Sequence, residues 1–276
     1  MNPIKISIIT PSYNQAKFIR RTLDSVLCRQ DYGNIEHIVI DGCSRDGTLE
    51  ILEEYRSKYP DKFSYIYEKD SGQSNAINKG FKRATGDIIG WINSDDYYED
   101  NIFRFIVKFF QDNPDVDMIY GGCNKVNENA DFVGKFEEGY GFKKCGIKNY
   151  QEFNYNTLLN VYSGLIPQQS VFFRMRVFEK VGYLDESYNF TMDYEYWLRI
   201  GRECKVRRVD KVLANFRTHK DAKTIFKNRF RFIKESLKAR KKYGARLIAP
   251  FYLYTGTIIF KTVMKLFLTK FKIIHK

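Results

Sequence analysis

Short apolar runs that end on polar side chains and then give way to helical periodicity recur four times in the first hundred residues, and few folds satisfy that rhythm. Ile4 to Ile9 reads as a buried strand, followed by Ile19, Leu23, Val26 and Leu27 at helical spacing. Ile35 to Ile40 is a second strand, with Leu49, Leu52, Tyr55 and Tyr59 on the helix after it. Phe63 to Tyr67 is a third, followed by Ala76, Ile77, Gly80, Phe81 and Ala84 on one face. Asp87 to Ile92 is a fourth, followed by an apolar helix over Ile102 to Phe110, and a fifth strand opens at Asp117. The alternation predicts an α/β fold, a mostly parallel sheet flanked by helices. Residues 124 to about 163 show no clean period and read as irregular. Beyond them Ser170 to Arg174 reads as a strand, Arg176 to Val181 as a helix stopped by Gly182, and Asp193 to Arg202 as another helix.

All carboxyl ends of parallel strands share one edge, and ligands of open α/β sheets bind there. Ser12, Tyr13 and Asn14 follow the first strand, Asp41 the second, Asp70 the third, and Asn93, Ser94, Asp95 and Asp96 the fourth. Four polar clusters therefore converge on one crevice. Gly42 to Thr48 has the glycine spacing of a P-loop but puts Thr48 where the phosphate-binding lysine belongs, and no GxGxxG follows any strand. A diphosphate would need another counter-charge. Mg²⁺ or Mn²⁺ held by Asp95, with Asp96 beside it, supplies one, since both ions take oxygen ligands from one or two carboxylates plus substrate phosphates.

The formal charge of +13 belongs to one end of the chain: residues 221 to 276 hold fifteen of the 46 Lys and Arg but only Asp221 and Glu235 of the 33 acids. This tail divides into a basic helix through Phe232, Leu237 and Arg240 to Lys242, and an apolar segment. Between Arg246 and Lys261 lie fourteen uncharged residues, short of the roughly 20 that span a bilayer. Lysines alternating with apolar residues suit an anionic membrane surface rather than nucleic acid. Five scattered cysteines without a CxxC motif fit a reducing compartment. The N-terminus enters a strand without a secretory pattern, so the expected location is cytoplasmic, peripheral on the inner face of the membrane.

Ile9 to Gln15 (ITPSYNQ), Asp41 to Thr48 (DGCSRDGT), Asp70 to Gly80 (DSGQSNAINKG) and Gly86 to Asp96 (GDIIGWINSDD) resemble the family 2 glycosyltransferases of GT-A type, a Rossmann-like fold. QQSVFFR (Gln168 to Arg174), GYLDE (Gly182 to Glu186) and MDYEYWLR (Met192 to Arg199) resemble the acceptor-side motifs of the same family. The resemblance implies a catalytic domain over 1–224, with a nucleotide-sugar half at about 1–123 and an acceptor half at about 124–224, and leaves 225–276 as the basic membrane-associating tail.

The same resemblance implies site roles. Pro11, Ser12 and Tyr13 would hold the nucleotide base, with Tyr13 stacking on it, and Asp41 would accept a hydrogen bond from the base. Asn75 would face the donor. The DxD element falls on Asn93, Ser94 and Asp95, making Asp95 the metal ligand, joined by His219 from the NFRTH run. Asp193 would be the general base. Two positions depart from the family pattern: Asn93 replaces the first acid of DxD, and Met192 replaces the Glu that usually precedes the base. The expected reaction is a metal-dependent, inverting transfer of a hexosyl group from a nucleotide diphosphate sugar, a UDP-sugar first, to a hydroxyl of a glycan or lipid-linked acceptor in surface polysaccharide synthesis. A carboxylate base and a single displacement suffice for it. The alternatives are a nucleotidyltransferase on a similar sheet, or a non-catalytic basic protein that binds membrane or nucleic acid.

Overall fold

The apolar runs become strands because both faces of a parallel sheet are covered, so every residue of β1 (Ile6–Ser12) is buried. The computed structural model describes residues 3–136, 152–161, 164–220, 222–223 and 228–246. β1 pairs in parallel with β2 (Ile35–Asp41) on one side and β4 (Ile88–Trp91) on the other, and β2 pairs in parallel with β3 (Phe63–Tyr67). Helices α1 (Ile19–Leu27), α2 (Thr48–Lys58), α3 (Gln73–Phe81) and α4 (Phe103–Asp112) follow them. α3 lies close on β1 because Gly80 carries no side chain: a Cβ there would meet Ile9 Cγ2 at 2.5 Å. His37, fully buried in β2, sits 2.9 Å from Thr10 Oγ1, and burial pushes its imidazole down to about 3. It is a neutral core residue.

The expectation of a mostly parallel sheet holds for this first half and not for the second. The sheet runs β3-β2-β1-β4-β8-β6-β9-β5, with β7 (Phe132–Lys135) on β6. β8 (Val171–Arg174) is antiparallel to both β4 and β6 (Met118–Val126). β9 (Val206–Arg217) is parallel to β6, and the two-residue β5 (Tyr97–Tyr98) is antiparallel to β9. Antiparallel β8 brings the 3-10 turn at Gln168–Ser170 to the carboxyl end of β4. Short helices α5 (Tyr155–Asn160) and α6 (Val177–Val181) precede α7 (Met192–Glu203).

The basic helix forms as expected, α8 (Arg229–Lys242), but it is part of the folded body. Ser236, Ala239 and Arg240 are buried, and the Arg240 guanidinium donates to the carbonyls of Leu158 and Leu159 on α5. Lys242 Nζ (3.0 Å) and the Tyr243 hydroxyl (2.6 Å) donate to Glu195 on α7, whose carboxylate is fully buried. A division at residue 224 therefore cuts through packed structure: the buried Glu195 carboxylate, which also pairs with Arg199, takes two of its hydrogen bonds from the end of α8. The apolar segment 247–260 and the lysines after it lie outside the described residues, as does Cys145. No helix among the described residues is long and apolar enough to cross a membrane.

Candidate active site

The carboxyl ends of β1, β3 and β4 open onto a cavity of about 450 Å³, a size suited to a small-molecule ligand. Pro11, Ser12 and Tyr13 line it from β1, and Tyr13 is 62% exposed, which leaves a ring face available for stacking. Asn14, at φ 52°, turns the chain back: its N–H donates to Ser44 Oγ (2.7 Å) and its Oδ1 accepts from the Arg45 N–H (2.9 Å), tying the first two strand ends together. Asp41 is placed differently from expectation. It is fully buried beneath the lining, where its carboxylate accepts from Ser12 Oγ (2.8 Å) and from the Ser44 N–H and hydroxyl (both 2.7 Å). It reaches the cavity through Ser12. Asp70 does line the cavity, and Gly42 permits its approach, because a Cβ there would stand 2.7 Å from Asp70 Oδ2.

The turn at 93–96 is built from several directions. The Thr22 hydroxyl on α1 bridges the carbonyls of Ser94 (2.9 Å) and Asp96 (2.6 Å). Asn93 is its hub: Oδ1 accepts from Gln73 (2.9 Å) and the Trp91 indole (3.3 Å), while Nδ2 donates to Asp96 (3.2 Å) and Gln168 (3.1 Å). Ser94 is nearly buried in the lining. The two adjacent acids separate. Asp96 points inward, accepting from the Arg217 N–H (2.8 Å) and Gln169 (3.0 Å), and burial together with the neighbouring Asp95 charge holds its carboxyl well above the usual range. Asp96 lines the cavity and braces the turn.

Asp95 faces the cavity, and His219, just past the end of β9, reaches back to it with Nε2 3.0 Å from Asp95 Oδ2. The His219 ring is nearly buried against Phe18, and its Nδ1 has no hydrogen-bond partner among the described residues. The carboxylate oxygen suits Mn²⁺ or Mg²⁺, and the imidazole nitrogen favours the softer Mn²⁺ of the two. The two side chains share a hydrogen bond at 3.0 Å, so both already point at one place. No cluster of three or more His, Cys, Asp or Glu side chains suited to a metal forms among the described residues, so the remaining positions would fall to water and substrate oxygens.

Across the cavity, the first turn of α7 presents Asp193, flanked in the lining by Phe190 and Met192. Its Oδ1 accepts from the Tyr194 N–H (2.8 Å), yet burial outweighs that bond and pushes the carboxyl up to about 6. A carboxyl that titrates close to the working pH and is ionised above it is what a general base requires. Asn75 is not in the lining, and its amide donates to Glu186 (3.1 Å). Residues that sequence reasoning left without a role also meet here: Gln168 and Gln169 under the turn, Phe232 from α8, and Lys223, whose Nζ donates to Gln73 Oε1 (2.8 Å) and the Asn189 carbonyl (3.0 Å). The QQ pair opens the QQSVFFR motif, which was the available signal.

Residues 7–182 match the model of Glycosyl transferase family 2. An uncharacterized glycosyltransferase of Rickettsia typhi is 32% identical over 223 residues, covering 79% of this chain and 65% of its own. The chain thus spans a little under two thirds of the length of such curated relatives. Among solved structures, Staphylococcus aureus TarS 1–349 in complex with UDP superposes with a TM-score of 0.62 at 21% identity, covering 88% of this chain and 67% of that one. The mannosyltransferase PcManGT from Pyrobaculum calidifontis, in complex with GDP-Man and Mn²⁺, gives 0.58 at 17% identity, covering 92% and 79%. The fold is therefore of GT-A type.

Proposed function

This chain belongs to glycosyl transferase family 2, and from that premise we propose that it moves a sugar from a nucleotide diphosphate donor to a hydroxyl of a glycan acceptor with inversion. The observation that carries this reading is the meeting, in one cavity, of the Asp95 and His219 pair with Asp193 on the facing wall. TarS has been solved with UDP and UDP-GlcNAc, and PcManGT with GDP-Man and Mn²⁺, which supports a nucleotide sugar as donor.

Tyr13 stacks on the base, with Pro11 and Ser12 closing around it, and Asp41 fixes the Ser12 hydroxyl from below. Asn93 and Ser94 meet the ribose or diphosphate. Asp95 and His219 would hold the divalent cation, Mn²⁺ or Mg²⁺, which when bound supplies counter-charge for a diphosphate. Asp193 takes the proton of the attacking hydroxyl, and no covalent enzyme intermediate is needed. The half to about residue 123 serves the donor, and the half from about 124 through α8 serves the acceptor. Family membership sets aside the nucleotidyltransferase alternative. Screening UDP- and GDP-sugars with Mn²⁺ by thermal melting tests the reading. A donor at a hundred times its Kd adds about 2.7 kcal/mol, a rise of several degrees; no shift with any of them would reject it.

Arg231, Lys234, Lys238 and Lys241 on α8 are exposed, and together with the lysines beyond residue 260 they support placing the enzyme on the cytoplasmic face of a membrane, beside a lipid-linked acceptor of surface polysaccharide synthesis. Each such residue near an anionic surface contributes about 1 kcal/mol. The full chain is therefore expected to sediment with phosphatidylserine vesicles at low salt and to be released by roughly 0.5 M salt. Equal binding to neutral phosphatidylcholine vesicles would refute the electrostatic attachment.

A further inference from the structure

Glu235 stands out in α8, one of two acids among the fifteen basic residues of 221 to 276. Its carboxylate accepts the N–H groups of Asn189 (3.2 Å), Phe190 (2.8 Å) and Thr191 (3.0 Å), and the Thr191 hydroxyl (3.3 Å). Thr191 is the N-cap of α7, and its own side chain makes no capping bond. Glu235, 44 positions further along the chain, instead takes the N–H groups just ahead of the helix, that of Thr191 included. Three successive N–H groups converging on one anion form a nest, and a helix N-terminus reinforces it.

The segment so gripped is the wall that carries the base. Asn189, Phe190, Met192 and Asp193 all line the cavity. Phe232, one turn before Glu235, packs its ring 5.3 Å from that of Phe190, and Lys223 holds the Asn189 carbonyl from the other side. We propose that Glu235 is a positioning residue for Asp193: its carboxylate locks the 189–191 segment and so sets where the first turn of α7 places the base. The inference rests on the reading of Asp193 given above. It makes the basic helix a part of the catalytic apparatus as well as a surface for the membrane.

The charged groups around Asp193 are Lys223 and Glu235, with Asp70, Asp95, Asp96 and His219 elsewhere on the cavity wall. Lys223 lowers the Asp193 carboxyl and Glu235 raises it. Removing the Glu235 charge therefore moves the acid limb of activity to lower pH, which simple loosening of the helix would not do.

The test compares wild type, Glu235→Gln, Glu235→Asp, Asp193→Asn and the Glu235→Gln/Asp193→Asn double variant in the full chain. Hydrolysis of UDP-glucose, UDP-N-acetylglucosamine and GDP-mannose with Mn²⁺ is followed below each variant's melting temperature, and amide exchange over 189–194 is measured without donor. Glu235→Gln is expected to lower kcat by about 10-fold or more with the donor KM within about twofold, to shift the acid limb downward, and to speed exchange at 189–191 by at least about tenfold. Glu235→Asp, which keeps the charge, should retain the wild-type limb. In the Asp193→Asn background Glu235→Gln should cost little more. An equal loss in both backgrounds, an unmoved limb or unchanged exchange would each overturn the proposal. Should Asp193→Asn itself hydrolyse donor normally, the assignment of the base fails too; loss there with a wild-type Glu235→Gln overturns only the role of Glu235.

Discussion

Asp193→Asn is expected to cut sugar transfer by roughly 10²–10⁴-fold, the worth of a positioned general base, while leaving donor affinity nearly intact. The amide fills the same space but cannot take a proton. Burial raises the Asp193 carboxyl to about 6, and the base works only when ionised. Wild-type activity should therefore climb as pH passes through about 6 and level off above it, whereas an ordinary carboxylate would already be fully active there. A pH profile of kcat/KM in wild type, beside the rate of the Asn variant at neutral pH, checks both. An acid limb near 4, or an undiminished variant, would remove Asp193 from the chemistry.

Asp95→Ala is expected to lose transfer by roughly 10²–10³-fold, the range seen when one group stabilising a developing charge is deleted. It should also lose the Mn²⁺-dependent rise in melting temperature with donor, since His219 alone supplies a single neutral ligand. His219→Ala should fall less, because the carboxylate carries the charge that attracts the cation. Chelation of wild type with EDTA should reproduce the Asp95→Ala phenotype. Transfer by Asp95→Ala that still responds fully to Mn²⁺ would place the cation elsewhere.

The first half of the molecule was legible because its signals are local. An apolar strand, its polar end and the following helical spacing all lie within about thirty residues, and parallel pairing then brings Tyr13, Asp70 and Asp95 to one edge. Strand direction in the second half was not legible, since Val171 to Arg174 reads the same whether it pairs up or down; only the paired structure shows it antiparallel to β4. Gln168, Gln169 and Asn93 acquire their roles from that reversal. Asp41 and Asp96 were legible as acids at strand ends, but which way a carboxylate turns depends on donors far along the chain, Ser12 in one case and Arg217 in the other. The burial of Glu195 depends in part on Lys242 and Tyr243, which lie 47 and 48 residues further along the chain. Charge counting found the basic helix and could not show that Arg240 is buried.

Because α8 closes over the start of α7 through Glu235 and over α5 through Arg240, the ribosome delivers the Tyr13 and Asp95 side of the cavity well before the opposite side is braced. A chain still lacking those two residues would have the strand-edge wall of the cavity without the bonds that fix the facing wall, so the cavity is completed only late in synthesis.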